Sequence, residues 1–491
     1  MKLQLHTLTP LHIGNGQELH ATDYVVVDDY YYRVSEQQFM RFLKQQGQEA
    51  QNLFSKWVIE TAQEIDDLEF ERRRKRQNFG RDKNQQLSYL KRNYNYAAFA
   101  QNVLGQETAF QQFLDEYCVA TPIGNPNTRL KQQIRAIMRT ADGRAYVPGS
   151  SLKGAIRTAL LYHQLCNHIP QKRVEQILEN SLREYDRLKA EAKKRNRRVN
   201  KQRQKVVFAK TLQNEAFYCG WKNERGRLFM NDEKYDLLKL LQVTDDLQPG
   251  KNCTVENLDI YLVDKVRKRG DMDIIANKQP QAPAIEAIQA GEQIEVEINF
   301  NIDFLFNLKQ QLGDRDELSS KKELHWIGVK KKVQQLYHLD IDTLTAENLE
   351  EKRQAVLQHV LNCVRKFSER QLEDDENWLN HFLDHDDARK YTNEIEDGFY
   401  RVSSQNGRTL LNLGFASGFG GVTALFYFLD QMPALFTRVM ELFEIGDHPL
   451  AFRKRKPGQR YQANPDDFPK SKRLVTRRDE IIPLGWLEIR K

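Results

Sequence analysis

One run, "QIEVEINFNI" at Gln293–Ile302, restricts the fold more than any other part of the chain. Ile294, Val296, Ile298, Phe300 and Ile302 alternate with Glu295, Glu297, Asn299 and Asn301. Side chains of a strand point alternately to opposite faces, so this period predicts a strand with one dry face and one wet face. Several other segments read as strands. Leu3 to Leu8 is one, ending at Pro10 and followed by the glycine-containing loop "LHIGNG". "DYVVVDDYYYRV" reads as a hairpin around Asp28-Asp29, "NLDIYLVDKV" as a further strand, and "PLGWLEIR" as a short terminal one.

Between these strands the pattern turns helical. Ser35 has capping-box spacing to Gln38, which predicts a helix start, and charged helical sequence continues to about Tyr117. A second helix is predicted from Thr128, with Leu130, Ile134, Ile137 and Met138 on its apolar face. A third begins at "VPGSSLKGAIRT" (Val147–Thr158), and about a hundred residues of charged helix run from Leu308 to about Thr392.

This order predicts an α+β protein of two units, each carrying a helical insertion, with the boundary near Pro283. The first unit covers residues 1–283, with insertions over about 36–140 and 163–215. The second covers 284–491, with an insertion over about 308–392 and a glycine-rich loop.

Charge is unevenly placed along the chain. The net charge is +7, and the mean hydropathy of −0.71 suits long solvated helices on compact cores. Ala451–Lys491 holds twelve Lys or Arg against five Asp or Glu, and Arg183–Lys205 holds eleven against three. Clustered positive charge of this kind suits a polyanion partner. Further basic runs lie at Arg72–Arg76, Arg453–Lys456 and Lys470–Arg473.

Five widely spaced cysteines, none in a CxxC pair, indicate reduced thiols in a cytoplasm rather than a zinc ribbon or disulfide scaffold. "MKLQLHTLTP" has no apolar core of a signal peptide, and "VTALFYFLDQMPALF" is too short and interrupted to span a bilayer.

Two places carry candidate binding chemistry. In "PGSSLKGAIRT", Pro148-Gly149 makes a turn, Ser150 or Ser151 is a good N-cap, and Leu152, Ile156, Ala159 and Leu160 face the core. Lys153 and Arg157 fall one turn apart, where like charges repel by ~0.2–0.5 kcal/mol. A phosphate held between them, near the free N–H groups of the helix start, would reverse that sign. The alternative is a capped helix with two solvated cations. The segment is not a Walker A loop, because its lysine precedes the glycine.

The second place is "LGFASGFGG", with Gly414, Ser417, Gly418, Gly420 and Gly421 ahead of an apolar helix. Such a loop either forms an anion-binding nest or serves tight packing. Phe415 and Phe419 either stack on bases or fill the local core. Lys470, Lys472 and Arg473 in "FPKSKRLV" are further phosphate candidates. The histidines show no HExxH and no metal spacing, so no metal and no cofactor are predicted. His12 is placed to act as a general base on a ribose hydroxyl or to hydrogen-bond backbone.

"LTPLHIGNG", "YVPGSSLKGAIRTALL", "LLKLLQVTDD", "EAIQAGEQIEVEI", "LNLGFASGFGG", "FPKSKRLV" and "PLGWLEI" occur in this order. Together they resemble the RAMP superfamily of CRISPR-associated RNA-binding proteins. Within it, the likeness is to the type III-A (Csm) effector subunit that caps the guide's 3′ side. The resemblance implies two ferredoxin-like, RRM-related modules with large helical insertions and a CRISPR RNA ligand. It also implies contact with the repeating backbone RAMP subunit, and a part in 3′-end maturation through recruited host nucleases. By resemblance Gly149–Lys153 and Arg157 belong to the motif helix, and Gly414–Gly421 to the family's glycine loop. Val422 and Thr423 stand where that loop often carries a basic or polar residue, and the backbone subunits' catalytic aspartate has no match here. The expected function is a non-catalytic RNA-binding and assembly subunit. The rivals are a metal-independent endoribonuclease using His12 and a purely structural cap.

Overall fold

The structure is a computed structural model. It describes residues 1–491 except 21, 76–78, 126–129, 131–132, 195–200, 220, 223–227, 230–232, 269–270, 280–282, 313–322, 325, 380–408, 416, 422, 444–467, 470, 478–479 and 491.

The alternating run forms the strand Gln293–Phe300, with Ile294, Val296, Ile298 and Phe300 fully buried. It ends one step earlier than the pattern predicts, because Ile302 opens the helix Ile302–Leu312. Lys2–Thr7 pairs with it antiparallel, placing Leu3 opposite Val296 and Leu5 opposite Ile294 on the dry face. A five-stranded sheet results, in the order Thr409–Asn412, Trp486–Arg490, Lys2–Thr7, Gln293–Phe300, Leu241–Val243. Two helices pack against it and against each other. They are the motif helix Gly149–Asn167 and the long helix Leu349–Leu379. Leu152, Ile156, Ala159 and Leu160 of the motif helix are buried in that core, as their spacing predicts.

The second large sheet runs Glu480–Ile482, Ser471–Arg477, Cys253–Lys268, Ala284–Ile288, Ile134–Ile137, Gly14–Leu19. Asp271–Gln279 folds back on Cys253–Lys268 as a long antiparallel ribbon. Glu286 is fully buried in this sheet and is met by Arg139 at 3.3 Å, the Tyr31 hydroxyl at 3.2 Å and the Ile137 amide at 2.9 Å. A carboxylate out of water needs such a full set of donors.

The α+β architecture with helical insertions is therefore present. Each large sheet takes strands from both sides of Pro283, so the two sheets, rather than two successive halves of the chain, are the units that bury apolar surface.

The hairpin Tyr24–Val27 with Tyr30–Arg33 forms around Asp28, whose φ is +52°, and Ser35 with Gln38 makes the full capping box. The helices after it, to Tyr117, build their own aromatic core. Phe39 stacks on Tyr96 at 4.1 Å within a cluster of Phe42, Phe54, Phe99, Phe110 and Phe113.

One predicted element is of the wrong type. Ile134–Ile137 is a strand, not part of a helix, and Thr128 lies outside the described residues. Ile134 and Ala136 face a buried cluster, and the strand lies between Gly14–Leu19 and Ala284–Ile288. Sheet partners far away in sequence override the local helical spacing.

Candidate nucleic-acid interface

The motif helix resolves its own like-charge problem internally. Lys153 Nζ donates to the Leu241 carbonyl at 2.6 Å. Arg157 donates to Asp236 Oδ2 at 2.6 Å and lies 5.0 Å over the Phe217 ring. Burial pulls the Lys153 ammonium below its ordinary value, with Asp236 opposing and Arg157 adding to the shift.

The helix start is also occupied from within. Neither Ser150 nor Ser151 is the N-cap: Pro148 is, and its side chain bonds nothing. Instead the Gly149 amide donates to Asp245 Oδ1 at 2.8 Å, so a carboxylate from 96 residues away serves the positive helix end. Gly149 must lack a side chain, since a Cβ there would lie 2.4 Å from the Thr244 carbonyl. Ser150 is exposed and Ser151 half-buried. The acidic "TDD" segment thus works as a helix cap (Asp245) and a buried partner of Lys251 (Asp246).

The glycine loop lies elsewhere, docked on the loop after the first strand. The Phe415 amide donates to the His12 carbonyl at 2.8 Å. Gly414 has φ +87°, and a Cβ there would lie 2.4 Å from that same oxygen. Beyond it, Ser417, Gly418, Gly420 and Gly421 line a cavity of about 370 Å³, whose other wall includes Lys472 and Arg473. The fold therefore brings together two of the sequence-predicted clusters, the glycine loop and the "KSKR" strand, and leaves the motif helix out of their cavity. Lys470 and the "RKRK" run lie outside the described residues.

The two cations on that strand differ in environment. Lys472 is tied to Asp375 and lies 3.7 Å from Asp374, both on the long helix, and sits 5.5 Å over the Trp378 ring. Burial draws its ammonium down to about 8 against the pull of Asp374. Lys472 is a strut between strand and helix.

Arg473 has no acidic partner among the described residues. Its guanidinium lies 5.4 Å over the Phe415 ring, and Arg135 lies over the same ring at 4.7 Å. Burial first, and the Arg135 charge second, pull Arg473 below its ordinary value. Arg135 has only a 3.9 Å approach to Glu18, and its Nε is buried without a hydrogen-bond partner. Two guanidinium groups share one half-buried ring, so a phosphate placed between them would turn repulsion into attraction. The ring itself is taken up by the arginines, so Phe415 holds cations rather than bases. The side chain of Phe419 lies outside the description.

His12 completes this group from below. It meets Phe415 edge-on at 5.6 Å, its Nδ1 is 2.6 Å from the Glu286 carbonyl, and it is 1% exposed. Burial, above all, lowers its pKa.

The sequence model of the RAMP superfamily matches residues 4–420. The chain belongs to the RAMP superfamily. Its fold is similar over the full length to a chain in the cryo-EM structure of a Csm–crRNA–target RNA ternary complex from a type III-A CRISPR-Cas system. That pair shares 18% identity, covers 100% of both chains and has a TM-score of 0.52. A second similar fold is the crystal structure of T. onnurineus Csm5, at 18% identity, 99% of each chain and a TM-score of 0.51. No curated protein matches this RAMP chain. No described helix is long and apolar enough to cross a membrane.

Sequence reasoning missed Arg135, because a strand residue on an element read as helix gives no hint of which face it shares. The basic residue within a short apolar run, "IRAI", was the available signal.

Proposed function

We propose that this RAMP protein is a non-catalytic, CRISPR RNA-binding and assembly subunit of a type III-A effector complex. It caps the 3′ side of the guide and supports 3′-end maturation by recruited host nucleases, beside the repeating backbone subunit. The observation that carries the RNA-binding reading is the Arg135–Phe415–Arg473 cluster, where two guanidinium groups lie against one ring with no aspartate or glutamate on Arg473 among the described residues. The full-length likeness to a chain of the Csm complex supplies the partner class.

His12 does not favour the endoribonuclease alternative. A general base must reach the proton it removes. Here Nδ1 is engaged by a carbonyl, and the residue is 1% exposed.

The test is to co-purify the tagged chain with its complex and sequence the bound RNA with its 3′ ends. Enrichment of CRISPR RNA in the wild type, and its loss when Arg135 and Arg473 are both replaced by Gln, supports the reading. Equal recovery of guide RNA with the wild type and the double variant sinks the assigned interface. Cleavage of repeat RNA by the purified chain in EDTA sinks the non-catalytic part.

A further inference from the structure

Four of the eleven histidines come together in space. His163 stands on the motif helix, while His359 and Cys363 stand four apart on one face of the long helix packed against it. A nitrogen of each imidazole and the Cys363 sulfur all lie within 4.8 Å of one another. His359 Nε2 is 3.5 Å from Cys363 Sγ. Two more imidazoles flank them. His338 stacks on His359 at 5.7 Å, and His168 meets His163 edge-on at 5.5 Å.

We propose that His163, His359 and Cys363 form a three-ligand binding site for one borderline-soft divalent transition metal of the zinc class, with the fourth position left to water. The donor set is nitrogen and sulfur, which suits zinc or cobalt and does not suit magnesium or calcium. Tetrahedral zinc needs ligand atoms roughly 3.3–3.8 Å apart, given bonds of about 2.0–2.3 Å. Side-chain rotations on the order of 1 Å close the present spacing.

A neutral imidazole suits a metal ligand, while the thiol must give up its proton to become one. Burial, with the charges of His359, His168, Lys366 and His338, holds His163 down to about 4, so the ring is neutral at neutral pH. No carboxylate figures among the charges acting on His163, His168 or His359. The anion the group can supply is the Cys363 thiolate, which burial, against the Lys366 charge, pushes up to about 12 as a thiol. A bound dication reverses that preference and expels the thiol proton to solvent, one proton per metal. One ligand is also oriented by a neighbour. The Leu336 backbone hydrogen-bonds the His359 ring, whereas a metal at His163 requires the Asn167 amide, whose Nδ2 lies 3.1 Å from His163 Nδ1, to turn away. A metal here would clasp the motif helix to the long helix, two elements 182 residues apart at their nearest ends (167 to 349).

The test uses the full chain, stripped with EDTA and titrated with Co²⁺, then Zn²⁺. The expected result is one cobalt per chain, a near-ultraviolet thiolate-to-cobalt absorption band, and displacement of cobalt by zinc. Cys363→Ser is nearly isosteric and should abolish the band while far-ultraviolet dichroism stays that of wild type. His359→Ala should weaken binding at least about tenfold. Cys219→Ser, at another buried cysteine, should keep the band. Absence of a stoichiometric band in the wild type, or a band that survives Cys363→Ser, overturns the site.

Discussion

Arg157 reaches across to Asp236 at 2.6 Å, and the same carboxylate, through Oδ1, accepts the Leu238 amide at 3.0 Å. A cation on the motif helix that looked like a phosphate ligand is therefore the anchor of the turn Leu237–Leu240. Both partners are largely shielded, at 30% and 13% side-chain exposure, so the pair exceeds a surface ion pair in worth. Arg157→Ala should lower unfolding free energy by about 1–2 kcal/mol. Asp236→Ala should cost about 1 kcal/mol more, because it also removes the amide acceptor. Urea denaturation of both variants checks this ordering. Equal or negligible losses would show that the anchor contributes nothing.

RNA affinity should follow the other arginines. For single-stranded RNA each phosphate contact contributes about −0.7 to the slope of log K against log salt. The pair Arg135→Gln with Arg473→Gln removes the contact to the one phosphate held between them and should flatten that slope by about 0.7, while Lys153→Ala should leave it unchanged. Fluorescence anisotropy with labelled guide RNA across a salt series decides the matter. A slope shift in the lysine variant, with none in the arginine pair, would return the phosphate site to the helix start.

The two glycines with positive φ at the ends of the loop differ in what surrounds them. Gly414, at φ +87°, faces the His12 carbonyl at 2.4 Å from a would-be Cβ, whereas Gly418, at φ +74°, faces open space. Alanine at Gly418 bears only the left-handed backbone cost of about 1–2 kcal/mol. Alanine at Gly414 adds a clash with fixed backbone and should cost several kcal/mol, about 3–5. Thermal melts should rank Gly414→Ala well below Gly418→Ala. Matching melting temperatures would mean that the loop does not need its seat on the first strand's loop.

Elements with a strong local signal were legible from the residues. The alternation from Ile294 to Phe300, the Ser35–Gln38 box and the apolar face of Leu152, Ile156 and Leu160 each reflect a period that local geometry alone enforces. What failed depended on partners distant in sequence. Ile134 and Ile137 fit a helical spacing, yet belong to a strand recruited by Ala284–Ile288. The serines lost the cap to Asp245, and Lys472 lost its freedom to Asp374 and Asp375. His359 and Cys363, four apart on the long helix, gave no metal signal in the sequence. Their third partner, His163, is placed by helix packing that no spacing reveals.

The same histidines set a dependence on pH. In the unfolded chain an imidazole titrates near its ordinary 6.5. In the folded chain His163 is held down to about 4, and burial also lowers His12, His168 and His359. Below 6.5 the unfolded chain binds the extra protons, so stability is full above that pH and is lost as pH falls through about 4. The groups acting on His163 are His168 on its own helix, and His338, His359 and Lys366 on the elements packed against it. Protonation of His168 and His359, beside the fixed charge of Lys366, deepens the loss. His163→Gln removes one proton-binding difference. Because His163 is only partly buried, solvent screening limits its share to about 1 kcal/mol. Melting temperatures in EDTA at pH 7.5, 5.5 and 4.5 should show the variant losing less than wild type on acidification. Parallel decline of the two would mean that His163 titrates in the fold as it does in water, and would remove the neutral imidazole on which that acid sensitivity depends.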